Sequence, residues 1–197
     1  MPYLGICLGM QVAVIEYTRN VLGKKNAHST EMVPDCSDPA VIFMPEGSTT
    51  HMGGTMRLGS RKTIFQTLEC TAAKLYNSQP VIDERHRHRY EVNPDIVDKL
   101  EAAGCVFVGK DETNRRMEIL ELDDHPFFVA TQYHPEYKSR PNRPSPPFMG
   151  LILAASGQLE EYLTSDAINM RVNAPGGFLS SPLKAIKGKR VTDLGLP

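Results

Sequence analysis

The ten residues from Pro2 to Gln11, Pro-Tyr-Leu-Gly-Ile-Cys-Leu-Gly-Met-Gln, constrain this chain more than any other stretch. Tyr3 to Ile6 read as a short buried strand, Gly5 and Gly9 flank Cys7 at minus two and plus two, and a helix is expected from Gln11. A reactive side chain on a tight strand-to-helix turn sits in a strained backbone conformation, and small residues on either side let the chains pass. The helix that follows aims its first N–H groups at the sulfur, which favours thiolate and leaves donors for a developing oxyanion. Taken alone, a cysteine on a core strand behaves as a small inert hydrophobe. The paired glycines and the switch from strand to helix point instead to a nucleophile elbow in an α/β fold.

A cysteine nucleophile needs a base. Phe127 to Tyr133 is an apolar strand, and His134-Pro135-Glu136 follows at its end. In open α/β sheets reacting groups gather at the carboxyl ends of strands, so two strand ends far apart in sequence can share one crevice. Cys7, His134 and Glu136 then form a triad by role. His134 takes the thiol proton, and Glu136 holds the imidazole in the required tautomer. Taken alone, His-Pro-Glu is an ordinary loop.

These two motifs together resemble the class I glutamine amidotransferases. Further words, Glu84-Arg-His-Arg-His-Arg-Tyr-Glu-Val-Asn93, Met52-Gly-Gly-Thr-Met-Arg-Leu-Gly59 and Ser145-Pro-Pro-Phe-Met-Gly150, resemble the glutaminase domains of the CTP synthases. The resemblance covers residues 1 to 163 and implies a three-layer α/β fold with a central, mostly parallel sheet. It implies Cys7, His134 and Glu136 as the catalytic residues. Leu8, Gly9, Met10, Gln11, Glu31 and Arg89 are implied contacts of the substrate L-glutamine, with Glu31 at its ammonium group. A guanidinium fork such as that of Arg89 can grip its α-carboxylate bidentately. Ammonia released from glutamine would serve the amination of UTP to CTP in a synthase domain that uses ATP and Mg2+, in an enzyme expected to be a tetramer. No residue of this chain is expected to bind a nucleotide or a metal. The segment from about Arg57 to Thr67 is implied to be a mobile lid beside the glutamine pocket.

Such domains normally open with strands and a glycine-rich loop upstream of the nucleophile, and here Met1 stands almost on the elbow strand. The expectation is therefore a sheet missing its N-terminal strands and an oxyanion hole short of one donor. That loss is worth roughly 3 kcal/mol of transition-state stabilisation. The isolated chain is expected to be poorly stable and nearly inactive. Two other readings stay open, a free-standing γ-glutamyl-type cysteine hydrolase and a truncated product that only binds full-length subunits.

With 197 residues and 41% hydrophobic content there is room for one core and a tail. Net charge is −1, so no nucleic-acid partner is suggested. There is no long apolar run and no signal peptide, and the expected location is the cytosol. Cys7, Cys36, Cys70 and Cys105 lack paired spacing, which suits free thiols rather than zinc or disulfides. The stretch Arg85 to Tyr90 holds a His-x-His pair, but the flanking arginines oppose a dication there. Gly53-Gly54 lacks the lysine and helix of a phosphate loop and reads as a hairpin turn.

The remaining elements follow from periodicity. Residues 24 to 38 read as loop, 41 to 44 as a buried strand, and 94 to 103 as a helix. A strand over 106 to 108 is followed by a half-exposed one over 117 to 122. An amphipathic helix over 148 to 163 closes the domain. Residues 164 to 197 carry five Lys or Arg against two Asp and read as a disordered basic tail.

Overall fold

Strand β1 (Tyr3–Ile6) runs into helix α1 (Leu8–Asn20) with Cys7 alone between them in the computed structural model, which describes residues 1–44 and 56–164. Met10, Gln11, Val14, Ile15 and Thr18 recur at helical spacing on the buried face of α1. The Cys7 carbonyl accepts the Gln11 N–H at 3.2 Å and so opens the helical ladder.

Two short strands, β2 (Ala27–Ser29) and β3 (Asp38–Phe43), follow, so the expected loop contains a strand of its own. Next come β4 (Arg57–Phe65), α2 (Thr71–Leu75), β5 (Val81–His88) and β6 (Tyr90–Val92). A 3-10 turn at Pro94–Ile96 leads into α3 (Val97–Ala102). Strands β7 (Cys105–Lys110), β8 (Met117–Leu122) and β9 (Phe128–Thr131) precede α4 (Pro146–Ala155) and α5 (Leu159–Thr164).

The main sheet has six strands in the order β1-β9-β8-β7-β4-β5, and a three-stranded sheet has the order β2-β3-β6. In the main sheet β1 and β9 are parallel, and the other four pairs, β9/β8, β8/β7, β7/β4 and β4/β5, are antiparallel. The sheet is thus mixed, where a mostly parallel one was expected. Strands β7, β8 and β9 follow one another through short connections, which return the chain antiparallel. The parallel β1/β9 pair joins the first and last of the described strands and needs the long crossover between them.

Alternate residues of the sheet feed two cores, which gives the three layers. On one side Met10, Val14 and Ile15 of α1 pack with Val41, Val92, Leu100, Phe107 and Ala130. On the other Ala72, Ala73 and Leu75 of α2 pack with Val108, Ile119, Phe127, Val129 and Tyr133, and Leu151, Leu159 and Tyr162 close over them.

Several local expectations change. Residues 57 to 65 are a sheet strand rather than a lid, because β4 pairs with β5 continuously from Arg57↔His88 to Ile64↔Val81. β8 is buried over Met117 to Leu120, including Glu118, where a half-exposed strand was expected. The closing helix is two helices, because Gly157 adopts φ +69° and breaks the run after Ala155. The Gly53-Gly54 turn and residues 165–197, the greater part of the expected tail, lie outside the described residues.

Candidate active site

Cys7 has φ +52° and ψ −101°, a conformation that a side chain other than glycine adopts only under strain. The strain is held from two sides. Cys7 N–H donates to the Thr131 carbonyl at 2.7 Å, which extends the Ile6↔Thr131 register of β1 and β9 into the turn. The Tyr3 ring stacks on Phe128 with centroids 4.3 Å apart, and its hydroxyl donates to the Gly9 carbonyl at 2.9 Å. The two flanking glycines are not equivalent. A Cβ at Gly5 would lie 2.9 Å from the Gly9 carbonyl carbon and 2.9 Å from Tyr3 ring atoms, whereas a Cβ at Gly9 would meet only Tyr3 Oη at 3.9 Å. Only the first position demands glycine.

The parallel pairing brings His134 to the same edge, three residues beyond Thr131. Its N–H donates to the Arg85 carbonyl at 2.8 Å, and Nδ1 lies 2.6 Å from Glu136 Oε1. With the proton on Nδ1 shared toward Glu136, Nε2 is left as the basic nitrogen. That atom is buried and has no hydrogen-bond partner among the described residues. Burial pushes the Cys7 thiol above its ordinary value. The Leu8 N–H and the Gln132 amide pull it back, and the Glu136 and Glu31 carboxylates push it further up. The expected thiolate-favouring effect of the helix is present through Leu8, but burial outweighs it. Attack by the sulfur therefore needs a base to remove the proton.

The other expected substrate contacts are distributed unevenly. Glu31 is exposed in the turn after β2, and its charge reaches the thiol. Arg89 is half-buried between β5 and β6, and two residues before it the Arg87 carbonyl lies 3.9 Å from Cys7 Sγ. Leu8 is 47% exposed beside the sulfur. The Gly9 carbonyl is taken by Tyr3. Met10 is fully buried in the core, so its side chain faces away from any ligand. Gln11 is also buried, and its Nε2 donates to the Tyr90 carbonyl at 2.8 Å. Among the described residues no group of three or more His, Cys, Asp and Glu could hold a metal ion. No helix there is long and apolar enough to cross a membrane.

Two features escaped sequence reasoning. Gln132, directly before Tyr133-His134, places Nε2 3.6 Å from Cys7 Sγ. Strand β5 buries every second residue, Ile82, Glu84, His86 and His88, so its inward face is mostly polar and hydropathy conceals it. His86 Nδ1 lies 3.0 Å from His88 Nε2, and Glu118 lies 3.1 Å from Arg57 and 3.5 Å from His86. Glu91 pairs with Arg116 and stands 3.7 Å from His88.

Burial and nearby cations push His86 down to about 2 and His88 to about 3, from 6.5. Burial raises Glu118 from 4.5 to about 8 against the pull of Arg57. The unfolded chain binds two histidine protons below pH 6.5 that the native cluster refuses, so stability falls with acidification. The native carboxyl keeps a proton that the unfolded chain releases between 4.5 and about 8, so stability also falls as pH rises through that window. From 4.5 to 6.5 two histidines outweigh one carboxyl, and the cluster's contribution is expected to peak near pH 6.5. Urea-unfolding midpoints across pH check this, and a midpoint still rising above pH 8 contradicts it.

A strained cysteine elbow, a histidine at the end of the neighbouring parallel strand and a carboxylate on that histidine meet at one edge of the sheet, the arrangement of a candidate cysteine-nucleophile site. Residues 1–154 match the family model "Glutamine amidotransferase class-I", and the chain belongs to that family. Within it the similarity is to CTP synthases. The chain is 57% identical over 163 residues to CTP synthase 2 of Xenopus laevis (83% of this chain, 28% of that protein). It is 59% identical over 164 residues to CTP synthase of Dictyostelium discoideum (81% and 29%) and 57% over 162 to CTP synthase 1 of Homo sapiens (82% and 27%). It therefore spans under a third of the length of these relatives. A solved structure described as the glutaminase domain of Trypanosoma brucei CTPS with bound acivicin superposes with a TM-score of 0.75 at 37% identity, covering 80% of this chain and 61% of that one.

Proposed function

We propose that this chain is the glutaminase part of a CTP synthase and that it hydrolyses L-glutamine through Cys7, His134 and Glu136. The observation that carries the reading is the elbow conformation of Cys7 on a strand paired in parallel with the one that ends in His134. His134 Nε2 takes the thiol proton as Sγ attacks the side-chain amide carbon, and the oxyanion forms toward the Leu8 N–H. The C–N bond then breaks and His134 returns the proton to the departing ammonia. Water, deprotonated by the same nitrogen, hydrolyses the γ-glutamyl thioester to glutamate and the free thiol.

Glu31 receives the ammonium group of glutamine and Arg89 its α-carboxylate. Leu8, Gly9 and Met10 contribute through their backbone, and Gln11 through the carbonyl oxygen that its two N–H bonds leave over. The ammonia passes to a synthase portion that binds ATP, UTP and Mg2+ and forms CTP, in a tetrameric assembly. No described residue of this chain is assigned to those ligands.

The test is covalent labelling of the chain by acivicin, read by peptide mass spectrometry. Burial pushes Cys70 and Cys105 up to about 12, which leaves them unreactive. Modification confined to Cys7 and suppressed by excess L-glutamine is expected. No labelling, or equal labelling of Cys7, Cys36, Cys70 and Cys105, would sink the proposal.

A further inference from the structure

We propose that Gln132 holds the Cys7 sulfur as a thiolate during the reaction, and that Gln11 fixes the orientation in which it can do so. The reaction is the one proposed above, and the hydrogen-bond argument is independent of it. Gln132 is 1% exposed, so its amide must find partners inside the protein. Its two polar ends face different groups. Nε2 lies 3.6 Å from Cys7 Sγ, and Oε1 lies 3.4 Å from Gln11 Nε2.

The direction of this chain follows from chemistry. The Tyr90 carbonyl can only accept, so the Gln11 atom 2.8 Å from it must be the amide nitrogen. That nitrogen has only hydrogens to offer, so the Gln132 atom facing it must be oxygen. The remaining end of Gln132, the NH2, is thereby aimed at sulfur. Reversing the Gln132 amide would set two donors against each other in a buried site and place an oxygen against the thiolate. The Gln132 backbone is held as well, because its N–H donates to the Glu118 carbonyl at 2.9 Å.

A donor aimed at sulfur stabilises an anion more than a neutral thiol, because hydrogen bonds to ionised acceptors are roughly twice as strong as neutral ones. Gln132 thus acts when the proton leaves for His134, two residues further along the same strand end. It is uncharged, so it supports the thiolate without pairing with it as a cation would. The Leu8 N–H also reaches the sulfur, but in the tetrahedral intermediate it is claimed by the oxyanion. Gln132 stays with sulfur throughout. By touching the reacting atom Gln132 is a catalytic residue, and Gln11, which works through it, is a positioning residue.

The experiment is the pH dependence of Cys7 alkylation by iodoacetamide in the full 197-residue chain, read peptide by peptide. Gln132→Met keeps the bulk and removes the donor. Its reactivity midpoint is expected to move up by about one to two pH units, which lowers alkylation at neutral pH about ten- to a hundredfold. Gln11→Met is expected to give a smaller shift in the same direction. An unchanged midpoint for Gln132→Met overturns the proposal. Cys105, 1% exposed, reports on folding, because its modification marks an unfolded variant. Should Gln132→Met unfold, the decision passes to Gln132→Glu, which has the same shape. It is expected to titrate later than the native chain, and a midpoint at or below the native one overturns the proposal. Iodoacetamide needs no glutamine pocket. Failure of acivicin labelling alongside an intact Gln132 shift would therefore refute the glutaminase reading and leave this one standing.

Discussion

Replacing Cys7 by alanine is expected to lower glutamine hydrolysis by on the order of 10⁴-fold or more, because no other group can form the thioester. The change removes one sulfur atom from a half-buried position, so the fold should survive it. Alanine must still adopt the φ of +52° that the elbow imposes, but cysteine bears the same strain in the native chain. Unfolding free energies of the two proteins should therefore agree within about 1 kcal/mol. The sharper readout comes from a chimaera in which this chain replaces the corresponding segment of a CTP synthase relative. There Cys7→Ala should abolish CTP formation from glutamine and spare CTP formation from added ammonia. Equal loss of both would separate Cys7 from ammonia supply, and residual glutamine hydrolysis within tenfold of native would remove it as the nucleophile.

Gly5→Ala is expected to have the second largest effect, on stability and reactivity together. The new methyl would sit 2.9 Å from the backbone of Gly9 and 2.9 Å from the Tyr3 ring. Neither obstacle yields easily. Gly9 belongs to the first turn of α1, and Tyr3 is clamped by its stack on Phe128 and its hydrogen bond to Gly9. Overpacking of this kind costs about 1–3 kcal/mol. Relief by opening the turn would displace Sγ, and a 1 Å misplacement can cost about 10²-fold in rate. Gly9→Ala is the control. Its methyl meets nothing closer than 3.9 Å, and alanine is the better helix residue by up to about 1 kcal/mol. Denaturant midpoints of the two variants should move in opposite directions, and similar losses for both would show that the elbow is tight on both sides.

The asymmetry between the two glycines shows where sequence reasoning stops. Their spacing around Cys7 identifies the turn, because strand, tight turn and helix are local features written in adjacent residues. Which glycine is indispensable depends on how closely the Gly9 backbone and the Tyr3 ring, stacked on Phe128 of the neighbouring strand, approach Gly5. The lid expected over residues 57 to 67 failed for a related reason, since residues 57 to 65 are a paired strand. The resemblance implied mobility there, and the segment's own residues do not reveal its partner, because that partner, β5, is itself hidden by an inward face of Glu84, His86 and His88.

The elbow, the His134–Glu136 strand end and the α/β class were legible in the chain's residues, since each rests on contacts within a few residues or on motif words in a set order. The mixed direction of the sheet, the buried Arg57–Glu118–His86–His88 cluster and the place of Gln132 against the sulfur emerge from the fold alone. Strand direction, burial of polar groups and hydrogen bonds between residues 125 positions apart all depend on which strands pair. Pairing is settled by the long-range balance of packing and hydrogen-bond satisfaction, and no short window of sequence contains it.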